Sequence, residues 1–484
     1  MDILLSPFQQ LPNEILGLIF ESACTDNLLQ QYPWPTVRKW CGEPPTKLSL
    51  PVIAYLPALA ISAVCTRWRF LALASPRIWS QIRVEIAPRG EVMSTTQSGF
   101  RSTLQLYLDR SADSPLLIGL QTPGALDADK SDLSALPLLL DHTSRWQTFS
   151  YTGDFDLGSC EGFCHHPSFP ILEALNLRGC EALIQRADFD CFEHAPKLCA
   201  FSTDYLKSHS PWTQLTTLDV RALDMDVLQQ CRSLTVLKIQ RIWPTSELSN
   251  MTLVNLETFT LFGFGDECDL EDMFSRITLP SLGELIIYPE DSPYTNDLIW
   301  PLNAFIAFIL RSSCTLTTLS LSGVRILDLD FIATLHLLPS LTKLSFDDDF
   351  GRVTNPITSL FLSSLTLHDT AFERGSIVPN LCSLSIQVEG TSFDDTAFIE
   401  MVLSRWLPDP SYAATIGVAS MMSMVLRFRK REVDEDVYRP LYELDKVGMR
   451  WGREVHEEAK LRPLCNLERM GMRVVITGQE YHGH

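Results

Sequence analysis

A short leucine pattern recurs through the middle of the chain and restricts the possible folds more than any other feature of the sequence. The unit is Leu-x-x-Leu-x-Leu, with another large apolar residue at some of the leucine positions. Nine close copies begin at residues 172, 215, 234, 256, 282, 316, 341, 362 and 381, and two looser copies begin at Trp146 and Leu198. The mean spacing of the eleven copies is 23.5 residues. Self-similarity at a period of about 20 to 50 residues indicates stacked structural repeats.

The alternation of side chains predicts what each copy forms. The last two apolar positions of a copy are two residues apart, so in an extended strand they point to the same face. A single strand cannot bury that face until a neighbour stacks beside it. The copies resemble leucine-rich repeats, and this resemblance implies an α/β fold in which an irregular solenoid forms a curved parallel sheet. Helical segments such as 269–274 and 303–310 are expected to form its outer layer.

Before the repeats, the first 90 residues have the periodicity of short helices. The apolar residues Ile61, Val64, Cys65, Trp68, Leu71 and Ala72 recur at the intervals that line one helical face. Ser75-Pro76 ends that helix, and Ile78 and Trp79 begin another apolar stripe. An earlier helix starts near Pro12 and carries Leu11, Ile15, Leu18 and Ile19 on one side. Periodicity alone also fits ordinary buried helices of an all-α segment.

These helical stretches resemble the F-box. Leu11-Pro12, Glu14-Ile15 and Ile19-Phe20 match its opening, and Val64-Cys65, Arg67-Trp68, Leu71 and Trp79 match its second half. The spacing is similar to that in F-box proteins of basidiomycete fungi. The chain departs from the family by an insertion at about 21–57, whose prolines predict an irregular surface loop. We therefore expect an F-box-like module over 1–90 and an irregular leucine-rich-repeat domain over 91–484, with a C-terminal cap from about residue 420.

The resemblance implies a non-catalytic role in ubiquitin transfer. F-box proteins with leucine-rich repeats are substrate-recognition subunits of cullin-RING (SCF-type) ubiquitin ligases: the F-box binds a Skp-family adaptor on the cullin ligase core, and the repeats bind the target protein. Carried over by motif position, the adaptor-binding residues are Leu11, Pro12, Ile15, Ile19, Val64, Cys65, Trp68 and Trp79. The alternative is a leucine-rich-repeat interaction scaffold outside any ligase, since the insertion separates the first two helices.

Strand alternation also predicts the target-binding surface. Side chains next to the inward leucines point the other way and line the concave face of the sheet. The larger of them are Arg178, Asp219, Arg221, Lys238, Phe262, Glu284, Tyr288, Lys343, Asp347 and His368. We expect a patch of mixed charge with Phe262 and Tyr288 as anchors, because aromatic side chains contribute strongly to binding energy. The alternative is that a loop or the C-terminal cap covers both rings.

Composition excludes several other classes of protein. The net charge of −20 and the isoelectric point of about 4.9 argue against nucleic-acid binding, which needs a basic face. The N-terminus lacks the basic segment of a signal peptide, and prolines interrupt the uncharged run at 48–66, so neither secretion nor a membrane span is expected. The 13 scattered cysteines indicate a reduced protein of the cytoplasm or nucleus.

Motifs for chemistry are weak. Cys160, Cys164, His165 and His166 lack the second ligand pair of a structural zinc site, so neither a metal nor another cofactor is expected. The chain has no Gly-x-Ser-x-Gly or His-Glu-x-x-His motif, and we expect no enzymatic activity. The basic cluster Arg427, Arg429, Lys430 and Arg431 fits either a solvated strand end or a nuclear address.

Overall fold

The structure of this protein is a computed structural model. It describes residues 11–31, 46–47, 55–86, 97–122, 135–153, 157, 163, 167–178, 190–206, 212–223, 225–242, 251–262, 270–289, 298–348, 356–367, 376–441 and 473–478. The chain divides into two compact units, Met1–Arg221 and Ala222–His484.

The first unit begins with helices and continues with parallel strands. Its helices are α1 (Asn13–Ala23), α2 (Pro57–Val64), α3 (Thr66–Ala74), α4 (Gln97–Arg110) and α5 (Ala135–Leu140), with 3-10 turns at Pro76–Trp79, Thr143–Arg145 and Asp190–Phe192. Its strands are β1 (Asn27–Gln30), β2 (Gln81–Glu85), β3 (Leu116–Thr122), β4 (Trp146–Gly153), β5 (Ala174–Arg178), β6 (Ala200–Leu206) and β7 (Thr217–Leu223). Strands β1 to β6 pair in parallel in chain order, and β7 follows β6.

A cluster of aromatic rings fills the core beneath the later strands of this unit. Trp146, at the start of β4, is fully buried, and its ring stacks on Phe149 with centroids 4.5 Å apart. Phe169 lies 5.4 Å from Trp146 and 5.0 Å from Phe192. Rings of this size contribute much of the buried apolar area that stabilises a sheet of short strands.

The second unit repeats strand and helix in turn. Its sheet contains β8 (Val236–Ile242), β10 (Thr258–Phe262), β12 (Glu284–Tyr288), β14 (Thr318–Ser322), β16 (Lys343–Asp347), β17 (Ser383–Val388), β18 (Ser423–Phe428) and β19 (Arg473–Gly478), all paired in parallel in that order. Two short parallel pairs join β9 (Met251–Thr252) to β11 (Ile277–Thr278) and β13 (Leu298–Ile299) to β15 (Val324–Arg325). The helices are α6 (Met225–Leu228), α7 (Leu270–Arg276), α8 (Leu302–Ser312), α9 (Asp328–His336), α10 (Ser359–Leu365), α11 (Asp395–Arg405) and α12 (Pro410–Ile416).

In the second unit, the leucine side of the strands packs against the helices. Phe331 of α9 lies 5.4 Å from Phe346 of β16 and stacks on Phe361 of α10 at 4.8 Å. Each of the helices α7 to α10 contacts the next one along the chain. The apolar face that each strand could not bury alone is therefore covered by neighbouring strands and by a helical layer.

The predicted α/β class with a parallel sheet is confirmed. Strands form at eight of the nine close copies of the leucine pattern and at both looser copies. Within the strands, buried leucines alternate with partly exposed residues, as in β5, β12 and β14. The helical segments expected at 269–274 and 303–310 lie in α7 and α8. None of the helices in the described ranges has the length and hydropathy that a bilayer span requires.

The copy that begins at Leu362 was wrongly predicted to be a strand. It lies in helix α10, where Phe361, Leu362 and Leu365 are buried. The Thr358 side chain caps this helix by accepting a hydrogen bond from the backbone N–H of Phe361 at 3.2 Å. Leu362 and Leu365 are three residues apart, a spacing that fits one face of a helix as well as the leucine pattern of a strand. The Thr358 cap favours the helix. His368, assigned to the concave face from this copy, lies outside the described residues.

Two features of the N-terminal region differ from the sequence-based expectation. The single helix predicted through Cys65 is two helices, because Cys65 has extended backbone angles between α2 and α3. The insertion expected to be an irregular loop contains strand β1, which pairs with β2 and buries Leu28 and Leu29. Burial of these two leucines stabilises strand β1 on the edge of the sheet.

Candidate functional site

Six large apolar side chains on the first three helices are exposed to solvent. Phe70 is 73 % exposed, Leu18 is 64 % exposed and Val64 is 60 % exposed. We call the group the N-terminal apolar surface, and it consists of Ile15, Leu18, Ile19, Val64, Phe70 and Leu73. Helices α1, α2 and α3, which carry these residues, contact one another. Exposed large apolar residues on helices that contact one another mark a candidate protein interaction site.

Buried aromatic residues support this surface from below. On α1 the buried residues are Leu16 and Phe20, and the Phe20 ring lies 5.0 Å from the half-buried ring of Trp68 on α3. Trp79 is fully buried, with the Tyr107 ring edge-on at 5.1 Å and the Arg110 guanidinium 4.4 Å from its centroid. The core beneath α1 and α3 therefore fixes the helices while leaving their outer apolar residues uncovered.

Arg67 joins the start of α1 to the start of α3. Its guanidinium donates to the carbonyl oxygen of Leu11 at 2.6 Å and to the side-chain oxygen of Asn13 at 2.8 and 3.0 Å. Cys65 caps α3, with its sulfur accepting from the backbone N–H of Trp68 at 3.5 Å. These contacts set the relative position of the two helices that contribute most of the N-terminal apolar surface.

Asn27, in the inserted segment, is a fully buried hydrogen-bonding centre. Its amide nitrogen lies 2.9 to 3.2 Å from the carbonyl oxygens of Cys24, Ile78 and Gln81. Its amide oxygen accepts from the backbone N–H of Ala58 and from the hydroxyl of Tyr107. Burial raises the pKa of the Cys24 thiol to about 12 and also raises the pKa of Tyr107, so both stay protonated at neutral pH.

Glu85, on the neighbouring strand β2, carries a buried carboxylate that the insertion covers. One carboxylate oxygen accepts from the side-chain amide of Gln30 at 2.7 Å. The other accepts from the hydroxyl of Thr46 at 2.6 Å and lies 3.3 Å from Arg83. Charge-assisted hydrogen bonds of this kind offset the cost of removing a carboxylate from water. The insertion is thus held to the sheet at both Asn27 and Thr46.

The eight residues predicted to bind an adaptor fall into three groups. Pro12, Ile15, Ile19, Val64 and Cys65 are exposed, Leu11 and Trp68 are half-buried, and Trp79 is fully buried. Trp79 therefore supports the helices from within. The exposed residues Leu18, Phe70 and Leu73 were not among the eight, although Leu18 lies on the apolar stripe of the first helix. Phe70 and Leu73 lie outside the predicted apolar stripe of the later helix. Their position off this stripe was the one sequence feature that could have indicated that they are exposed.

In the first unit, the predicted sheet-face residues include an ion pair. Arg178 of β5 pairs with Asp219 of β7, on the far side of β6. Arg221, two residues further along β7, is half-buried. Both partners of the pair keep part of their side chains in contact with solvent, so the pair contributes little to stability. It leaves this part of the face polar and mixed in charge.

In the second unit, three of the predicted residues form a stack across neighbouring strands. The Lys238 ammonium lies 4.5 Å from the centroid of the Phe262 ring. The Phe262 ring is stacked on Tyr288 at 5.5 Å and 22°. Both rings are half-buried, so neither is covered completely. Cation–π contact and offset stacking hold the three side chains as one ladder.

The remaining residues of this face carry charge. Glu284 is half-buried and accepts from the Thr258 hydroxyl at 3.3 Å, and Lys343 is exposed. Asp347 pairs with Arg429 at 2.5 Å. Basic residues next to Arg429 also pair with carboxylates, Lys430 with Glu389 and Arg431 with Asp395. These contacts fit the strand-end interpretation of the basic cluster.

The candidate metal ligands Cys160, Cys164, His165 and His166 lie outside the described residues. Within the described ranges, no group of three or more His, Cys, Asp and Glu side chains is placed to hold a metal ion.

Comparison with known proteins does not identify a family. No protein-family model matches the chain, and no curated protein matches it at a significant level. Function is therefore inferred from the residues and contacts described above.

Proposed function

We propose that this protein is the substrate-recognition subunit of a cullin-RING (SCF-type) ubiquitin ligase. The helices α1 to α3 act as an F-box and bind a Skp-family adaptor, and the parallel strands act as leucine-rich repeats that bind the target protein. The chain itself carries no ubiquitin-transfer chemistry, so its role is to bring target and ligase together in the cytoplasm or nucleus.

The N-terminal apolar surface is the observation that carries this proposal. Burying the side chains of Ile15, Leu18, Ile19, Val64, Phe70 and Leu73 against a partner would remove apolar area from water, at about 25 cal/mol per Å². Five of the eight residues carried over from the F-box pattern are exposed, three of them on the same helices and two, Pro12 and Cys65, at helix ends. A partner that supplies an apolar groove fits this surface better than a polar ligand does.

The sheet supports the second half of the proposal. The residues that alternate with buried leucines are partly exposed and include paired charges and the stacked rings of Phe262 and Tyr288. Aromatic and arginine side chains contribute most to protein interfaces. A face of this composition suits a protein segment as its target.

Co-purification with a Skp-family adaptor tests the proposal. The intact chain should retain the purified adaptor at micromolar concentration, and Leu18→Asp or Phe70→Asp should abolish retention because each places a charge in a desolvated contact. Leu310→Asp is the matched control, since Leu310 is 69 % exposed on helix α8 of the other unit. Folding of each variant is checked by circular dichroism.

The rival function is an interaction scaffold outside any ligase. The observation that favours it is strand β1, which the insertion places between α1 and α2 and which the F-box pattern lacks. A folded chain that binds no Skp-family adaptor, while its sheet face still binds protein segments, would establish the scaffold and reject the ligase subunit.

A further inference from the structure

A slot lies beside the aromatic ladder of the second unit, on the side away from Lys238. Tyr288 is the last residue of β12, and the next strand, β14, ends in Ser322. Ile287 is paired with Leu321, and Ser322, the residue after Leu321, is paired with Asp347 of β16. Tyr288, Ser322 and Asp347 therefore stand side by side on three neighbouring strands, with only a hydroxymethyl group between the ring and the carboxylate.

All three side chains belong to the partly exposed face of the sheet. Their inward neighbours Ile287, Leu321 and Phe346 are buried, so alternation turns Tyr288, Ser322 and Asp347 outward. Each of the three is half-buried, and the Asp347 side chain keeps 29 % of its surface in contact with solvent. Among the described residues no hydrogen-bond partner is seen for the Tyr288 hydroxyl.

The dimensions of the slot fit one planar cationic group. Neighbouring strands are about 4.8 Å apart, so the ring and the carboxylate are separated by roughly 9 to 10 Å. A cation lies within about 6 Å of the centroid of the ring it covers. It lies within about 4 Å of the carboxylate oxygen with which it pairs. These two distances together span the slot.

The two groups that border the slot, a ring face and a carboxylate, favour a cation over an anion. Across the strands, Lys238 covers one face of the ladder. On the side of Asp347 away from Ser322 lie Arg429, which pairs with it, and the exposed Arg427 of β18. A cation between Tyr288 and Asp347 would contact a negative ring face on one side and a carboxylate on the other.

We propose that the slot formed by Tyr288, Ser322 and Asp347 binds an arginine side chain of the target protein. The planar guanidinium stacks on the Tyr288 ring, and its N–H groups donate to the Asp347 carboxylate and the Ser322 hydroxyl. Arginine suits the slot better than lysine because its planar group can stack and hydrogen-bond at the same time. This inference rests on the proposed function, in which the sheet face binds a protein target.

Synthetic peptide arrays test the inference with the full-length chain. Each peptide carries one central arginine, and a matched array carries citrulline there, which keeps the shape and loses the charge. We expect at least about ten-fold greater retention on the arginine peptides, since citrulline loses both the cation–π contact and the ion pair. Equal retention on the citrulline peptides would overturn the inference, and so would greatest retention on a glutamate array.

Paired variants locate the effect in the slot. Tyr288→Leu and Asp347→Asn should remove the preference for arginine. Tyr288→Phe keeps the ring and should keep the preference for arginine. Arg429→Gln breaks the Asp347–Arg429 ion pair, as Asp347→Asn does, but keeps the Asp347 carboxylate, so it should also keep the preference. Loss of the preference in Arg429→Gln would assign the effect to the ion pair and overturn the inference. Adaptor retention on the same preparations separates the two proposals, because it does not depend on the slot.

Discussion

The indole N–H of Trp79 donates to the carbonyl oxygen of Ala72 at 2.8 Å and so satisfies one of the carbonyls left open near the end of helix α3. Trp79 is fully buried, whereas Trp68, seven residues after Ile61 on the predicted stripe, is half-buried. Two tryptophans of the same sequence motif therefore have different roles. Trp79 fixes the end of α3, and Trp68 packs on α1.

Truncation should separate these roles. We expect Trp79→Ala to lower the free energy of unfolding by about 3 to 5 kcal/mol, because it leaves a large cavity. Trp68→Ala should cost less, since part of that ring already contacts solvent. Trp79→Phe keeps most of the volume but removes the indole donor, so the Ala72 carbonyl keeps only the backbone N–H of Ser75 at 3.4 Å, and we expect a loss of about 0.5 to 1.5 kcal/mol. Urea denaturation measures all three, and a greater loss in Trp68→Ala than in Trp79→Ala would contradict the assignment.

Asn27 gives a second stability prediction. Replacing it with Leu should lower the free energy of unfolding by at least about 2 kcal/mol, because the carbonyls of Cys24, Ile78 and Gln81 would lose a buried donor. Asn255→Leu is the control, since its exposed amide donates to the carbonyl of Arg232 alone. A urea midpoint for Asn27→Leu equal to that of the control would show that β1 does not depend on this residue.

The sequence predicted the strands well because the leucine pattern reports a property local to each strand. An inward leucine two residues from another marks a buried face wherever the copy lies, and this worked at both β5 and β17. It failed at Leu362, where the Thr358 cap and a buried Phe361 favour a helix. Strand β1 was missed because its four residues, Asn27–Gln30, show no alternation. The order of that segment depends on Asn27, whose partners lie as far as 80 residues away.

The candidate site was less predictable than the fold. Helical periodicity identifies apolar residues that share a face, but it does not tell whether that face meets the core or solvent. Leu16 and Phe20 turned out to be the buried residues of α1, and Ile15 and Ile19 lie outside. On the sheet, Tyr288 and Asp347 are partly exposed and alternate with the buried Ile287 and Phe346. The ion pair of Asp347 with Arg429, 82 residues away, required the structure.

The lowered pKa of His142 predicts that the stability of the protein depends on pH. Burial lowers the pKa of its imidazole from 6.5, and Arg145 lowers it further, against the opposing effects of Asp141 and Asp109. The unfolded chain therefore binds the proton more tightly, so His142 lowers stability as pH falls below 6.5 towards its folded pKa. His142→Asn should lose less stability than the wild type between pH ~7.5 and ~5, as measured by urea midpoints. Equal losses in the two proteins would reject this role.

Arg405 is a buried cation that ends one helix and caps another. It is the last residue of α11, and its guanidinium donates to the carbonyl oxygens of Leu365 at 2.6 Å, Ile377 at 2.7 Å and Val378 at 3.2 Å. Leu365 ends helix α10, so Arg405 satisfies a carbonyl left open there. Burial lowers the pKa of Arg405 to about 10, and the side chain stays charged at neutral pH.

Substitution of Arg405 should therefore distinguish the charge from its hydrogen bonds. Arg405→Lys keeps a buried charge on a group that cannot reach three carbonyls, and we expect a loss of about 3 to 5 kcal/mol in the free energy of unfolding. Arg405→Met leaves the carbonyls unsatisfied but removes the buried charge, so it should cost less than the lysine variant. Arg311→Met is the matched control, since the exposed Arg311 also donates to backbone carbonyls, those of Phe274 near the end of α7 and of Ile277 in β11. If urea denaturation shows the smallest loss in free energy of unfolding for Arg405→Lys among the three variants, the positive charge stabilises this site more than the three hydrogen bonds of the guanidinium do.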